Sequence, residues 1–442
     1  MRYGILSEFV EELVSRTTAT LMGGSKETFK TLFDRLLREQ GDIPALKTAS
    51  VIISRYGQAS LEEKRELFTL LAEDFDVDAD KALAAAQAYR ESRSAHAYAT
   101  LQAATESPRQ EQFRRLNRVP GGTLALVRMR EDLLFHFRDV PGAKRIDSDF
   151  QHLFSSWFNR GFLVLRNIDW TTPAHILEKI IAYEAVHEIS SWADLRSRTE
   201  PADRRCFAYF HPAVPDEPLV FVEVALTQSM PAAISDILDK DRVALAPGNV
   251  TTAVFYSISN CHQGLQGVSF GNFLIKQVAA QLQLEFPRLK DFVTLSPVPG
   301  FSRWLASAEP SALAEFKKIA EAGLLDAAAP LEEEIRAQAP AIRALAATYL
   351  LLAKRADSRP FDPVARFHLA NGAELARINT EANLTARGIS ESLGVMVNYR
   401  YELARADANH EQYFATGSIR TPRQVRELAL KLPVPTPEEV SA

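Results

Sequence analysis

A hydroxyl and an imidazole are the two groups in this chain best suited to moving a proton. Ser296 follows the apolar run Phe292-Val293-Thr294-Leu295 and opens the turn Pro297-Val298-Pro299-Gly300. Ser302 is a competing hydroxyl on the same turn. His368 lies in Val364-Ala365-Arg366-Phe367-His368-Leu369, with apolar flanks. A serine and a histidine within hydrogen-bond reach form a unit for proton transfer. Spacing alone does not join two residues so far apart, and each type is also common in plain turns and cores. No Gly-x-Ser-x-Gly elbow surrounds Ser296, which argues against a standard α/β-hydrolase. The nine histidines are scattered and no His-Glu-x-x-His occurs, so metal chemistry has no signature here.

A second chemical feature is the stretch Ser257 to Lys276, SISNCHQGLQGVSFGNFLIK. Strand-type residues lead in, glycines follow at 264, 267 and 271, and Phe273, Leu274, Val278, Ala279, Leu282 and Phe286 then recur at helical spacing. Glycines let a backbone approach an anion closely, and free N–H groups at a helix start point toward it. The loop lacks the Gly-Lys-Ser/Thr ending of a Walker motif and the glycine spacing of a Rossmann fingerprint. Two readings remain: a tight turn packing helix on sheet, or a cradle for a nucleotide-bearing ligand such as coenzyme A.

These residues need a scaffold. From Phe29 to Ala103 apolar residues recur three and four apart. Leu32, Phe33, Leu36 and Leu37 form one stripe, and Leu67, Leu70, Leu71 and Phe75 another. Leu124, Leu126, Val127, Met129, Leu133, Leu134 and Phe137 continue the rhythm, which predicts a helical bundle. Near residue 160 the pattern changes. Gly161 to Arg166, Cys206 to Phe210, Leu219 to Leu226 and Ala253 to Ile258 read as strands. Pro212, Pro215 and Pro218 punctuate the connection of a hairpin-like pair, and Pro173 opens a helix through Tyr183. Alanine-rich helical spacing returns from Ser311 to Lys354. The expected class is α + α/β.

The chain has 442 residues, 46% hydrophobic and 24% charged, which suffices for a sizeable core. With 51 Lys and Arg against 56 Asp and Glu, the net charge is −5. No polycationic field favours nucleic acid or an anionic membrane. Two cysteines, Cys206 and Cys261, exclude a disulfide framework or a cysteine-rich zinc site. No apolar run is long enough to span a bilayer. The first residues mix acids with apolar side chains, unlike a signal or transit peptide. A soluble, cytoplasmic protein is the expectation.

Four blocks, in order, resemble the malonyl-CoA decarboxylase family. They are Ser155 to Trp170 (SSWFNRGFLVLRNIDW), Ser257 to Lys276, Leu295 to Leu305 (LSPVPGFSRWL), and Pro363 to Ala373 (PVARFHLANGA) with Asn398 to Tyr401 (NYRY). The resemblance implies a helical N-terminal domain over residues 1–158, used to build a homotetramer or dimer. It implies a GNAT-like catalytic domain over 159–442 that converts malonyl-CoA to acetyl-CoA and CO2 without a cofactor or metal. The family's catalytic serine and histidine fall on Ser296 and His368. Its acyl-CoA loop falls on Gln266, Gly267, Val268, Ser269, Phe270, Gly271 and Asn272, and an active-site tyrosine on Tyr401. Two positions depart: His262 stands where Gln is common, and Ser269 where Glu is common. The eukaryotic targeting tripeptide is absent, which suggests a bacterial member. Two rivals share the loop: an acyl-CoA-dependent acyltransferase, and a non-catalytic acyl-CoA-binding scaffold.

Overall fold

Helical spacing of apolar residues folds the first part of the chain into helices that bury one stripe each. The structure is a computed structural model that describes residues 27–268, 273–307, 311–325 and 332–431. Before the first strand come helices Phe29–Arg38, Asp42–Gln58, Leu61–Glu73, Ala79–Ser92, Ala95–Thr105, Pro108–Leu116, Gly122–His136 and Ala143–Trp157. Leu32, Phe33 and Leu36 are buried, as are Leu67, Phe68 and Leu71; Leu37 and Leu70 sit half-buried at the stripe edges. Ser60 and Glu63 close a reciprocal capping box at the start of Leu61–Glu73. Buried Arg109 pairs with Asp76 and Asp149 and donates to the Leu71 carbonyl, tying three helical segments together.

Two compact units divide the chain. The first holds the described residues through Val164, together with Phe210–Leu219 and a segment beginning at His262; the second holds Leu165–Tyr209, Val220–Cys261 and what is described beyond Phe270.

β-branched and aromatic runs make one eight-stranded sheet. Its strands are β1 (Val164–Ile168), β2 (Arg204–His211), β3 (Val214–Thr227), β4 (Thr252–Asn260), β5 (Asp291–Thr294), β6 (Ser296–Pro297), β7 (Glu374–Asn379) and β8 (Met396–Arg400). The order is β1-β2-β3-β4-β5-β8-β6, with β7 also on β8. β4 and β5 are parallel, and the helix Phe273–Glu285 lies between them in sequence, as a parallel crossover requires. β8 is antiparallel to β5, β6 and β7. Opposite Glu223 and Val224 the register of β4 slips by one residue at Tyr256, a bulge. No helix among the described residues is long and apolar enough to cross a membrane. Helices first and then a mixed sheet with helices is the expected α + α/β, GNAT-like class.

Two local expectations need correction. The run Gly161 to Arg166 is not one strand. Phe162 and Leu163 donate backward to the Asn159 and Arg160 carbonyls in turns, so β1 starts only at Val164. Phe162 is exposed, so no buried face draws it into the sheet. Of the three prolines assigned to the hairpin connection, only Pro212 lies there; Pro215 and Pro218 are inside β3. A strand tolerates proline where the missing N–H would not face a ladder partner.

Candidate active site

Ser296 is placed by the sheet. β5 ends at Thr294, Leu295 donates to the Phe255 carbonyl, and Ser296 pairs with Val397 of β8. The chain then turns at Gly300, where a Cβ would sit 2.1 Å from the Tyr349 hydroxyl. Only glycine lets the turn close on the aromatic group of Phe301, Trp304 and Tyr349. Ser296 is thus held in a short strand and is not at a free strand end.

His368 is placed by the helix Pro363–Ala370. Asp362 caps it, accepting from the Ala365 N–H at 2.8 Å, and Pro363 occupies the first turn, where its missing N–H costs nothing. Ala365, His368 and Leu369 face inward at i, i+3 and i+4. The helix stops at Asn371. Gly372 follows with φ +80°, and a Cβ there would lie 2.0 Å from the Ala406 carbonyl oxygen.

The two residues meet. Ser296 Oγ and His368 Nε2 are 3.0 Å apart, and His368 Nδ1 is 2.8 Å from the Tyr401 hydroxyl. Ser296 is 5% exposed, His368 and Tyr401 3% each. Ser296 Oγ donates to Thr294 Oγ1 at 2.8 Å, and Thr294 Oγ1 also accepts from the Tyr399 N–H. The Tyr399 ring stacks on the imidazole at 4.6 Å between centroids.

Burial sets the protonation states. It pushes His368 down to about 3, so the imidazole is neutral, and pushes the Tyr401 phenol well above its ordinary value, so it keeps its proton. With the Ser296 proton directed at Thr294, the neutral imidazole carries its hydrogen on Nε2, facing Ser296, and Nδ1 accepts from Tyr401. Hydrogen bonds thus run unbroken from Tyr401 through His368 and Ser296 to Thr294. Burial also raises Asp362 to about 6, against the backbone N–H groups it caps.

Ser302 does not share this setting. Its Oγ is buried and makes no hydrogen bond among the described residues.

The glycine loop is described in part. Gln263–Leu265 is a short 3-10 turn, and Gly267 has φ +79°, a backbone that side chains rarely adopt. Gln266, Gly267 and Val268 belong to the first unit, whereas Ser296, His368 and Tyr401 belong to the second. Ser269, Phe270, Gly271 and Asn272 lie outside the described residues. No group of three or more His, Cys, Asp or Glu able to hold a metal occurs among the described residues.

Sequence reasoning missed Thr294, Tyr399 and Asp362. Thr294 and Ser296 are two apart, as are Tyr399 and Tyr401. The period of a strand was the available signal for both. An Asp directly before a Pro, at the start of an apolar-periodic run, was the signal for the cap.

Comparison with known proteins agrees along the chain. A family model described as the malonyl-CoA decarboxylase C-terminal domain matches residues 161–439, and one for the N-terminal domain matches 75–158. The mitochondrial malonyl-CoA decarboxylase of Anser anser anser is 35% identical over 429 residues, covering 88% of this chain and 84% of the relative. That of Rattus norvegicus is 34% identical, covering 89% and 87%. The crystal structure of malonyl-CoA decarboxylase from Rhodopseudomonas palustris is 47% identical with a TM-score of 0.83, covering 90% of this chain and 98% of that one. The one from Agrobacterium vitis is 47% identical with a TM-score of 0.84, covering 91% and 99%. Likeness at this level over nearly the whole chain shows that it belongs to the malonyl-CoA decarboxylase family of carboxy-lyases.

Proposed function

We propose that this chain converts malonyl-CoA to acetyl-CoA and CO2, with Ser296 and His368 as a catalytic pair. The observation that carries the reading is the buried 3.0 Å contact between Ser296 Oγ and His368 Nε2, backed by Tyr401. Breaking the bond to the carboxylate releases neutral CO2 and sends the electron pair into the thioester enolate. Fixed N–H donors stabilise that oxygen, and the Gly267 amide is the candidate donor. A dry site favours the step, since the carboxylate loses charge as CO2 departs.

The enolate then needs a proton on carbon. Turnover consumes one proton from solvent. An anionic carboxylate arriving beside the neutral imidazole raises its proton affinity, so His368 takes up a proton with the substrate. The imidazolium passes the proton on Nε2, the nitrogen beside Ser296, to the α-carbon, keeps the one gained on Nδ1 and is neutral again, as its burial favours. Ser296 positions the malonyl group and accepts from His368 Nε2. The loop Gln266 to Asn272 holds the acyl-CoA, in this reading.

The same reading places a helical domain over 1–158 and a catalytic domain over 159–442. The helical domain associates with copies of itself, and apolar Ile43, Leu61 and Leu83 are exposed there. The working compartment is the cytoplasm, where the buried Cys206 and Cys261, which form no disulfide, stay reduced.

Purified protein incubated with malonyl-CoA alone is the test, with acetyl-CoA read by mass spectrometry. Formation without any acceptor supports decarboxylation. Turnover only when an amine or alcohol is supplied makes the protein an acyltransferase, and binding without turnover makes it a scaffold. Ser296→Ala and His368→Asn are each expected to lower kcat at least about a hundredfold with little change in KM. Near-normal kcat in both removes the pair from the mechanism.

A further inference from the structure

We propose that Arg130, on a helix of the N-terminal region, is a positioning residue for the acyl-CoA loop. The inference rests on the substrate role given to that loop above. Arg130 is one of the largest fully buried side chains of the molecule. Burying a guanidinium costs several kcal/mol unless its charge is paired and its donors are satisfied. One side is met by Asp147, whose Oδ1 accepts from Nε at 2.7 Å. The other side is spent on main chain: Nη1 donates to the carbonyls of Gly264 at 2.7 Å and Gln266 at 2.8 Å. All of these residues lie in the first unit.

The choice of carbonyls matters. A trans peptide points its C=O and the following N–H in opposite directions. Fixing the Gln266 carbonyl on Arg130 therefore turns the Gly267 N–H away from the guanidinium. The N–H groups of Leu265, Gln266 and Val268 are used inside the turn, on His262, Gln263 and Leu265. Nothing among the described residues accepts from Gly267, and the space where its Cβ would stand is open. A cation on the carbonyl of a peptide also polarises that peptide, which makes its N–H a stronger donor. Arg130 thus both aims and strengthens a donor of the turn that is left for a ligand oxygen.

The turn is seated as well as tethered. A Cβ on Gly264 would lie 2.0 Å from the Val127 carbonyl oxygen. Val127 is on the same helix, Gly122–His136, as Arg130. One helix therefore supplies both the surface the turn rests on and the charge that orients it.

Arg130→Gln removes the charge, and Arg109→Gln is the control. Arg109 is as deeply buried and ion-paired in the same helical region, but its partners, Asp76, Asp149 and the Leu71 carbonyl, lie outside the loop. Two readouts are used: the dissociation constant of acetyl-CoA by calorimetry, and KM and kcat for malonyl-CoA. Arg130→Gln is expected to weaken acetyl-CoA binding and raise KM about tenfold or more, and to lower kcat about tenfold as well, since the Gly267 N–H it aims is the candidate donor to the enolate oxygen. Arg130→Lys recovers part of the loss, and Arg109→Gln leaves both constants near wild type. If Arg130→Gln does not fold, Asp147→Asn at the half-exposed partner should raise the dissociation constant about threefold.

Equal binding by wild type and the Arg130 or Asp147 variants overturns the proposal, as does an equal loss in Arg109→Gln. Wild-type protein that binds acetyl-CoA but forms none from malonyl-CoA overturns the decarboxylase reading. The binding comparison then still judges Arg130. Wild-type protein that does not bind acetyl-CoA overturns both.

Discussion

His368 is enclosed so fully that its imidazole stays neutral far into the acid range, and Tyr401 so fully that its phenol keeps its proton. The 2.8 Å hydrogen bond between them is what makes that burial affordable, because a ring nitrogen without a partner would cost about 1–3 kcal/mol. Tyr401→Phe removes the donor and keeps the ring. Its kcat is expected to fall about tenfold, with KM little changed, because the imidazole loses the group that fixes its hydrogen on Nε2. Wild-type kcat in this variant would reduce Tyr401 to packing. Ser296, His368 and Tyr401 were legible because each sits in a block with a known resemblance. Thr294 and Tyr399 were not, although both touch the pair. Their contribution is a hydrogen-bond partner and a stacked ring, and neither has a motif; both depend on which face a strand presents.

The helix Pro363–Ala370 carries the imidazole on only eight residues, so its ends decide its stability. Asp362 supplies the N-terminal acceptor and is itself buried against the Tyr349 hydroxyl. Asp362→Ala is expected to lower stability to urea by about 1–2 kcal/mol through the lost cap. It should also lower kcat, because the His368 helix loses its first-turn anchor. An unchanged urea midpoint would mean the helix is held by packing alone. Sequence signals at this scale were uneven. The Asp-Pro start and Asn-Gly stop of this helix are local chemistry, written in adjacent residues. The start of β1 is not, since Gly161 to Leu163 have strand-like neighbours but no partner strand. Pro215 and Pro218 misled for a related reason: whether a missing N–H matters depends on the neighbouring strand.

Over the whole molecule, buried titratable groups give stability a pH dependence. His187 is held down to about 4, first by burial and then by the charges of Arg198 and Arg387. Its folded value lies below the ordinary value of about 6.5. It therefore costs nothing above that pH, and below it the unfolded chain binds the proton first. Stability is lost as pH falls from about 6.5 toward 4. His368 acts in the same sense, while Asp362, raised to about 6, acts in the opposite one. A comparison of variants isolates one group. His187→Gln should lose less unfolding free energy in urea than wild type between pH 7 and about 4.5, a difference of about 2 kcal/mol. Parallel curves would show that His187 does not titrate between the two states. The order of helical and mixed regions was readable at this scale because helical and strand periods differ. The membership of Phe210–Leu219 and the segment from His262 in the helical unit was not, since it arises only from tertiary packing.

Ser296 is bonded into β8 at Val397, and His368 rests on Tyr399 and Tyr401 at the other end of that strand's run. Both halves of the pair thus lean on a single rail. A rigid tilt of β8 is a common-mode displacement: it carries hydroxyl and imidazole together. Only a movement of the Pro363–Ala370 helix relative to that rail changes the gap.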